Sequence, residues 1–126
     1  MTLNRFWWIV GFGLVGLVVF VCLIPGRDLP STPLNDKANH FIAHFVMCAW
    51  FAGLVPRRNW WQVFVGLAAL GIGIEIAQGL MHEGRQSDPL DVVANCTGAL
   101  VALGASWLGL ARWPELAAWV LGRKAA

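Results

Sequence analysis

Apolar residues run through this chain in four long stretches, 6–24, 38–55, 60–81 and 89–111, separated by short polar connections. A helix crossing a hydrocarbon core of about 30 Å needs about 20 such residues, so each stretch predicts a membrane-spanning helix. The first two hold no Asp, Glu, Lys or Arg; the third holds Glu75 and the fourth Asp91. The first is too long for the apolar part of a signal peptide, and no small-x-small cleavage pattern follows it, so it is expected to be retained. Residues 113–122 are too short to span. Trp113, Ala117, Val120 and Leu121 recur there at helical spacing and predict a short helix lying along the interface. The expected fold is an all-α membrane protein: a single domain over 1–126, four transmembrane helices and a C-terminal interfacial helix.

Composition agrees with this class. The 126 residues are 58% hydrophobic and 13% charged, with a mean hydropathy of +0.63. Soluble domains run at about 45–50% apolar and about 25% charged. The formal charge of +2 matters less than its distribution. Arg5, Arg57, Arg58, Arg112, Arg123 and Lys124 fall on one side of the predicted spans, and Arg27, Lys37 and Arg85 on the other. The basic side is expected to be cytoplasmic, which places both termini inside. Trp7, Trp8, Trp60, Trp61, Trp107, Trp113 and Trp119 cluster at that same boundary, with Trp50 in the inner half of the second span. No basic run with interleaved aromatics suggests nucleic acid.

Ionisable side chains are costly in lipid, and their presence marks a functional hypothesis by default. Here they gather at the opposite ends of the spans. Lys37, His40 and His44 recur at i, i+3, i+7, as do Glu75, Gln78 and His82, and again Asp88, Asp91 and Asn95. Each set forms one helical face. Stripes facing lipid would be costly, so the three are expected to face one another and line a polar pocket open to the outside. Glu75 lies roughly 9 Å below the outer boundary, at 1.5 Å per residue. It is expected within side-chain reach of Arg85, Lys37 or Asp91. Asp88-Pro89-Leu90-Asp91 also reads as a helix start, with Asp88 as N-cap and Pro89 at N1.

Other signals carry less. Gly11, Gly13 and Gly16 match GxGxxG but lie inside an uncharged span, where small residues favour close helix packing rather than a dinucleotide. Gly98, Ala102 and Ser106 read as a second packing face. Cys22, Cys48 and Cys96 lie in apolar stretches without CxxC spacing, so neither a disulfide nor a zinc site is implied. His40 and His44 have the i, i+4 spacing of HExxH helices, but Phe41 stands where the glutamate belongs. Glu75 or His82 as a third ligand would be needed, and no metal or other cofactor is expected. Asn95-Cys96-Thr97 matches a glycosylation sequon at the start of a span, where the match is fortuitous.

Asp36-Lys37-x-x-His40-Phe41, Glu75-x-x-Gln78 and Arg85-x-x-Asp88-x-x-Asp91-x-x-x-Asn95-x-x-Gly98, in that order, resemble the VanZ-like family of bacterial membrane proteins. The resemblance covers about residues 34–108. His44 departs from the family pattern, where an aromatic is common, and Ala102 stands where a second glycine is common. The resemblance implies a multi-pass protein of the bacterial cytoplasmic membrane. It also implies a link to the cell envelope, since the family's prototype is associated with resistance to teicoplanin, a lipoglycopeptide acting on cell-wall precursors. The matching residues, Asp36, Lys37, His40, Glu75, Gln78, Arg85, Asp88, Asp91 and Asn95, nearly coincide with those the polar stripes select.

Three functions remain open on the sequence. A binding protein would hold a lipid or cell-wall-precursor headgroup, with Lys37 and Arg85 meeting phosphate or carboxylate. An enzyme acting on such a lipid would use His40 or Glu75 as general base, with Asp91 orienting it. A small proton-coupled transporter would relay through Glu75, but the inner half shows no matching polar stripe.

Overall fold

The computed structural model describes residues 3–28, 34–82 and 84–122; Arg123 and Lys124, counted above for orientation, lie outside them. The described residues form helices and turns without strands. Five helices follow in order: α1 (Leu3–Cys22), α2 (Asp36–Leu54), α3 (Trp60–Met81), α4 (Pro89–Trp107) and α5 (Trp113–Val120). Short 3-10 turns at Gly26–Asp28, Arg57–Asn59 and Leu110–Arg112 lie in three of the connections. Length and composition make Leu3–Cys22, Arg57–Met81 and Pro89–Trp107 candidate membrane spans. The 19-residue α2 is not among them. Lys37, Asn39, His40 and His44 in its first turns lower its hydropathy.

Local chemistry sets the ends. Asn35 caps α2, its Oδ1 accepting from the Ala38 N–H at 2.8 Å, which starts the helix at Asp36 rather than 38. Asp88 caps α4 as the sequence predicts: its Oδ1 accepts from the Leu90 N–H at 2.9 Å, and Pro89 follows at the first helical position. The far end of α4 differs from expectation. The helix stops at Trp107, not 111, because Gly109 turns the chain at φ 121°, a conformation open to glycine.

The core is the seam between α2 and α4, closed by α3. Met47, Cys48 and Ala49 of α2 meet Ala99 and Ala102 of α4 and Leu67 of α3, all buried. Small residues bring α2 and α4 together: a Cβ on Gly98 would run into the Phe41 backbone. Ala102 and Ser106 are buried on the same face, as their spacing predicts.

The helix α1 is peripheral, with Gly11 its only buried described residue. A Cβ there would stand 2.8 Å from Trp50 Nε1. Gly13 and Gly16 have open space beside them, so the close packing expected of the GxGxxG run occurs at one of its three glycines. Of the cysteines, Cys48 is buried, while Cys22 and Cys96 are half-buried; all three are free.

Candidate polar site

Three helix ends build the site. Capping by Asn35 and Asp88 places the first turns of α2 and α4 beside each other, and the last turns of α3 lie across them. Lys37 on α2 donates to Asp88 Oδ2 at 2.6 Å and stands 3.4 Å from Asp91 Oδ1. The Asp88 carboxylate, held by the Lys37 ammonium and by the Leu90 N–H, titrates below the ordinary carboxylate range. The same hydrogen bond from Lys37 to Asp88 raises the lysine.

One turn deeper, His40 is the hub. Its Nδ1–H donates to Asn95 Oδ1 at 3.1 Å, joining α2 to α4. Its Nε2 faces Glu75 Oε1 at 3.8 Å, Asp91 Oδ2 at 3.9 Å and Asp36 Oδ2 at 3.9 Å. The His40, Glu75 and Asp91 side chains are each 96% buried or nearly so, whereas Asp36 stands at the rim. Glu75 anchors through its second oxygen, which accepts the Asp88 backbone N–H at 3.0 Å. Glu75 therefore bridges α3 to the start of α4, and it makes no direct ion pair with Lys37 or Arg85 among the described residues.

Gln78 and Arg85 act differently from expectation. Both donate to the Cys22 carbonyl, each at 2.8 Å. That carbonyl lies in the last turn of α1, where no backbone N–H of the helix remains to satisfy it. Two polar side chains thus fasten α1 to the edge of the cluster, and their sequence pattern gave no sign of this backbone partner.

Two of the predicted stripe members leave the site. His44 is buried but bonds through Nε2–H to the Leu67 carbonyl at 3.2 Å, tying α2 to α3. His82 is exposed and ends α3 in a left-handed conformation at φ 52°. The three-residue periodicity of α3 does not survive its last turn, so His82 supplies neither a pocket wall nor a third partner for His40 and His44.

Two recesses open on the cluster. A polar one of about 310 Å³ is lined by Asp36, Lys37, Gln78, Arg85, Asp88 and Asp91, among others. A larger cleft of about 610 Å³ runs between α1 and α2. Asp36, His40 and Arg85 form its polar edge, and Leu17, Val18 and Val21 of α1 its apolar wall. Asp36 and Arg85 border both recesses. The α1 wall was not foreseen from the sequence, since an evenly apolar helix marks no particular face. The site can therefore offer cations, carboxylates and an imidazole at a polar mouth continuous with an apolar groove.

Residues 23–110 match the family model described as VanZ/LLP1. Neither a curated protein nor a solved structure matches the chain.

Proposed function

Since the chain belongs to the VanZ/LLP1 family, we propose that it is a four-span protein of a bacterial cytoplasmic membrane, both termini inside, that holds the polar headgroup of an envelope lipid at its outer end. The observation that carries this reading is the junction of the two recesses at Asp36 and Arg85. A lipid has the same two-part chemistry. Lys37 and Arg85 meet its phosphate or carboxylate, Asp36 and Asp91 its hydroxyl or amide groups, and an acyl chain lies along Leu17, Val18 and Val21. The cleft volume falls within the usual range of ligand sites, about 300–1,000 Å³. In this reading α2 crosses the membrane despite its polar first turns, because those turns face the pocket. The α5 helix lies along the inner interface, with Leu116, Trp119 and Val120 exposed toward lipid.

Native mass spectrometry of the detergent-purified chain tests the reading. Anionic envelope lipids are expected to copurify at one per chain, and Arg85→Gln or Lys37→Gln is expected to reduce that occupancy several-fold. Occupancy indifferent to both substitutions rejects it. Labelling of single cysteines from outside, reaching 37, 82 and 85 but not 57 or 58, tests the orientation. If the pocket takes a cell-wall precursor, deleting the gene lowers teicoplanin tolerance in the host; unchanged tolerance removes that role and leaves lipid binding.

A second reading is supported by the buried His40, oriented through Nδ1 by Asn95 with Glu75 and Asp91 beside Nε2. This is the inventory of a general acid–base enzyme. Glu75→Gln then keeps lipid occupancy and abolishes headgroup turnover, read by comparing lipids in membranes with and without the protein. A proton-coupled transporter is not supported: among the buried polar side chains of the described residues, Ser106 alone lies toward the other end.

A further inference from the structure

The centre of the cluster is arranged in a way that headgroup binding does not require. His40 Nδ1–H is committed to Asn95, so in the neutral ring Nε2 carries a lone pair. Three carboxylate oxygens, from Asp36, Glu75 and Asp91, surround that nitrogen at 3.8–3.9 Å. None is close enough for a hydrogen bond. Glu75 Oε1 is buried, points into this space and has no hydrogen-bond donor among the described residues. A buried carboxylate oxygen without a donor is strongly unfavourable unless a cation meets it.

The span fits an ion. Metal–ligand bonds of about 2.1 Å at tetrahedral angles put neighbouring donors about 3.4 Å apart, so each of the three distances from His40 Nε2 needs to shorten by about half an ångström, while the carboxylates must also turn toward one another. Asp36, His40 and Asp91 ligand atoms already lie within 4.8 Å of one another. Charge agrees. Lys37 is shared between Asp88 at 2.6 Å and Asp91 at 3.4 Å, and the Arg85 guanidinium lies at the rim of the recess that Asp36 and Asp91 line. The four carboxyl groups of Asp36, Glu75, Asp88 and Asp91 outnumber these two cations, and a divalent ion offsets the excess. The Asn95 carbonyl behind His40 is the outer hydrogen-bond partner that metal-bound histidines usually have.

We propose that Asp36, His40, Glu75 and Asp91 form a site for one divalent transition-metal ion. One imidazole nitrogen and three carboxylate oxygens suit Mn²⁺ or Zn²⁺, whereas Mg²⁺ and Ca²⁺ favour all-oxygen sets. The HExxH reading fails because it pairs His40 with His44, which is spent on Leu67. The ligands instead come from three separate helices. The proposal stands apart from lipid binding and is tested without lipid.

The detergent-purified chain is stripped with chelator and titrated with Mn²⁺ alone at neutral pH. Loss of the six-line electron paramagnetic resonance signal of free Mn²⁺ counts bound ions. One ion per chain, displaced by Zn²⁺, is expected. His40→Gln and Asp36→Asn are expected to weaken binding at least about tenfold. Asp36 is exposed, so its substitution leaves the fold intact, as helical circular dichroism will report. His82→Ala is expected to bind as the parent does. A folded parent chain that leaves the Mn²⁺ spectrum unchanged overturns the proposal. Binding that follows His82, or that survives both His40→Gln and Asp36→Asn, overturns it equally.

Discussion

The two ends of the helix bundle are fastened by the same device and differ in what is left over. At the tryptophan end, indole N–H groups reach backbone carbonyls: Trp50 to Trp7 at 3.1 Å, Trp113 to Trp50 at 3.3 Å and Trp60 to Ala52 at 3.0 Å. Trp7, Trp50 and Trp113 pack mutually, with ring centroids 4.5–5.7 Å apart, and Arg57 lies over Trp60 and Trp107. At the polar end, Gln78 and Arg85 reach the Cys22 carbonyl in the same manner. Among the described residues, the tryptophan end then leaves two neutral groups, Trp7 Nε1 and Ser106 Oγ, without hydrogen-bond partners. Among the described residues, the polar end leaves Glu75 Oε1, Arg85 Nε and Asn95 Nδ2 without a hydrogen bond, and Asp91 Oδ1 with only the Lys37 ammonium at 3.4 Å. Three of those four belong to ionisable side chains. One end is left with neutral groups only, and the other with charged groups whose bonding capacity the described residues do not use.

The sharpest way to break this contrast is at the seam serving both ends. Gly98→Val drives a side chain into the Phe41 backbone and is expected to destabilise by about 3 kcal/mol, read as a lowered melting temperature in detergent. Lipid and metal occupancy should fall with it. Asn95→Leu removes the acceptor of His40 Nδ1–H and is expected to cost about 1–3 kcal/mol. It should also abolish occupancy in the fraction that stays folded. Trp50→Phe removes one indole donor while keeping a ring in place. It is expected to cost about 1 kcal/mol and to leave ligand occupancy as in the parent; a loss of occupancy would show that the two ends are coupled.

The smallest effect is a pH response. The depressed Asp88 carboxylate contributes stability above its unfolded pKa, and that contribution disappears as pH falls through its lower folded value. The raised Lys37 contributes below its unfolded pKa and ceases to as pH rises through its higher folded value. Stability measured across pH should therefore lose a small increment on strong acidification and again on strong alkalinisation. Lys37→Met should remove the alkaline step and shrink the acid one, since the Leu90 N–H still holds Asp88.

Most of the site was legible because intramembrane polar residues are scarce. Periodicity alone put Lys37, His40, Glu75, Asp88, Asp91 and Asn95 on converging faces, and Asp88-Pro89 gave the start of α4. Arg85 was expected near Glu75 from the placement of the scarce cations, and the family pattern added Asp36. What escaped was set by main-chain groups and by helix ends. Nothing in the order of side chains shows that the Cys22 carbonyl is the partner of Gln78 and Arg85, or that the Leu67 carbonyl takes His44. Extending a helical period to His82 assumed one more regular turn than the chain makes, and Gly109 cut α4 short by its backbone angle. The indole-to-carbonyl bonds were hidden as well, since tryptophans near a boundary read as an interfacial belt whichever way they point.

At Gly98 the main chains of two helices touch, and sliding is forbidden there. A slip of one residue would carry His40 about 1.5 Å along the axis, enough to trade its present neighbours for others. The tolerance of the whole constellation is thus governed by a position contributing no functional atom, and sequence drift at that glycine would detune chemistry it never touches.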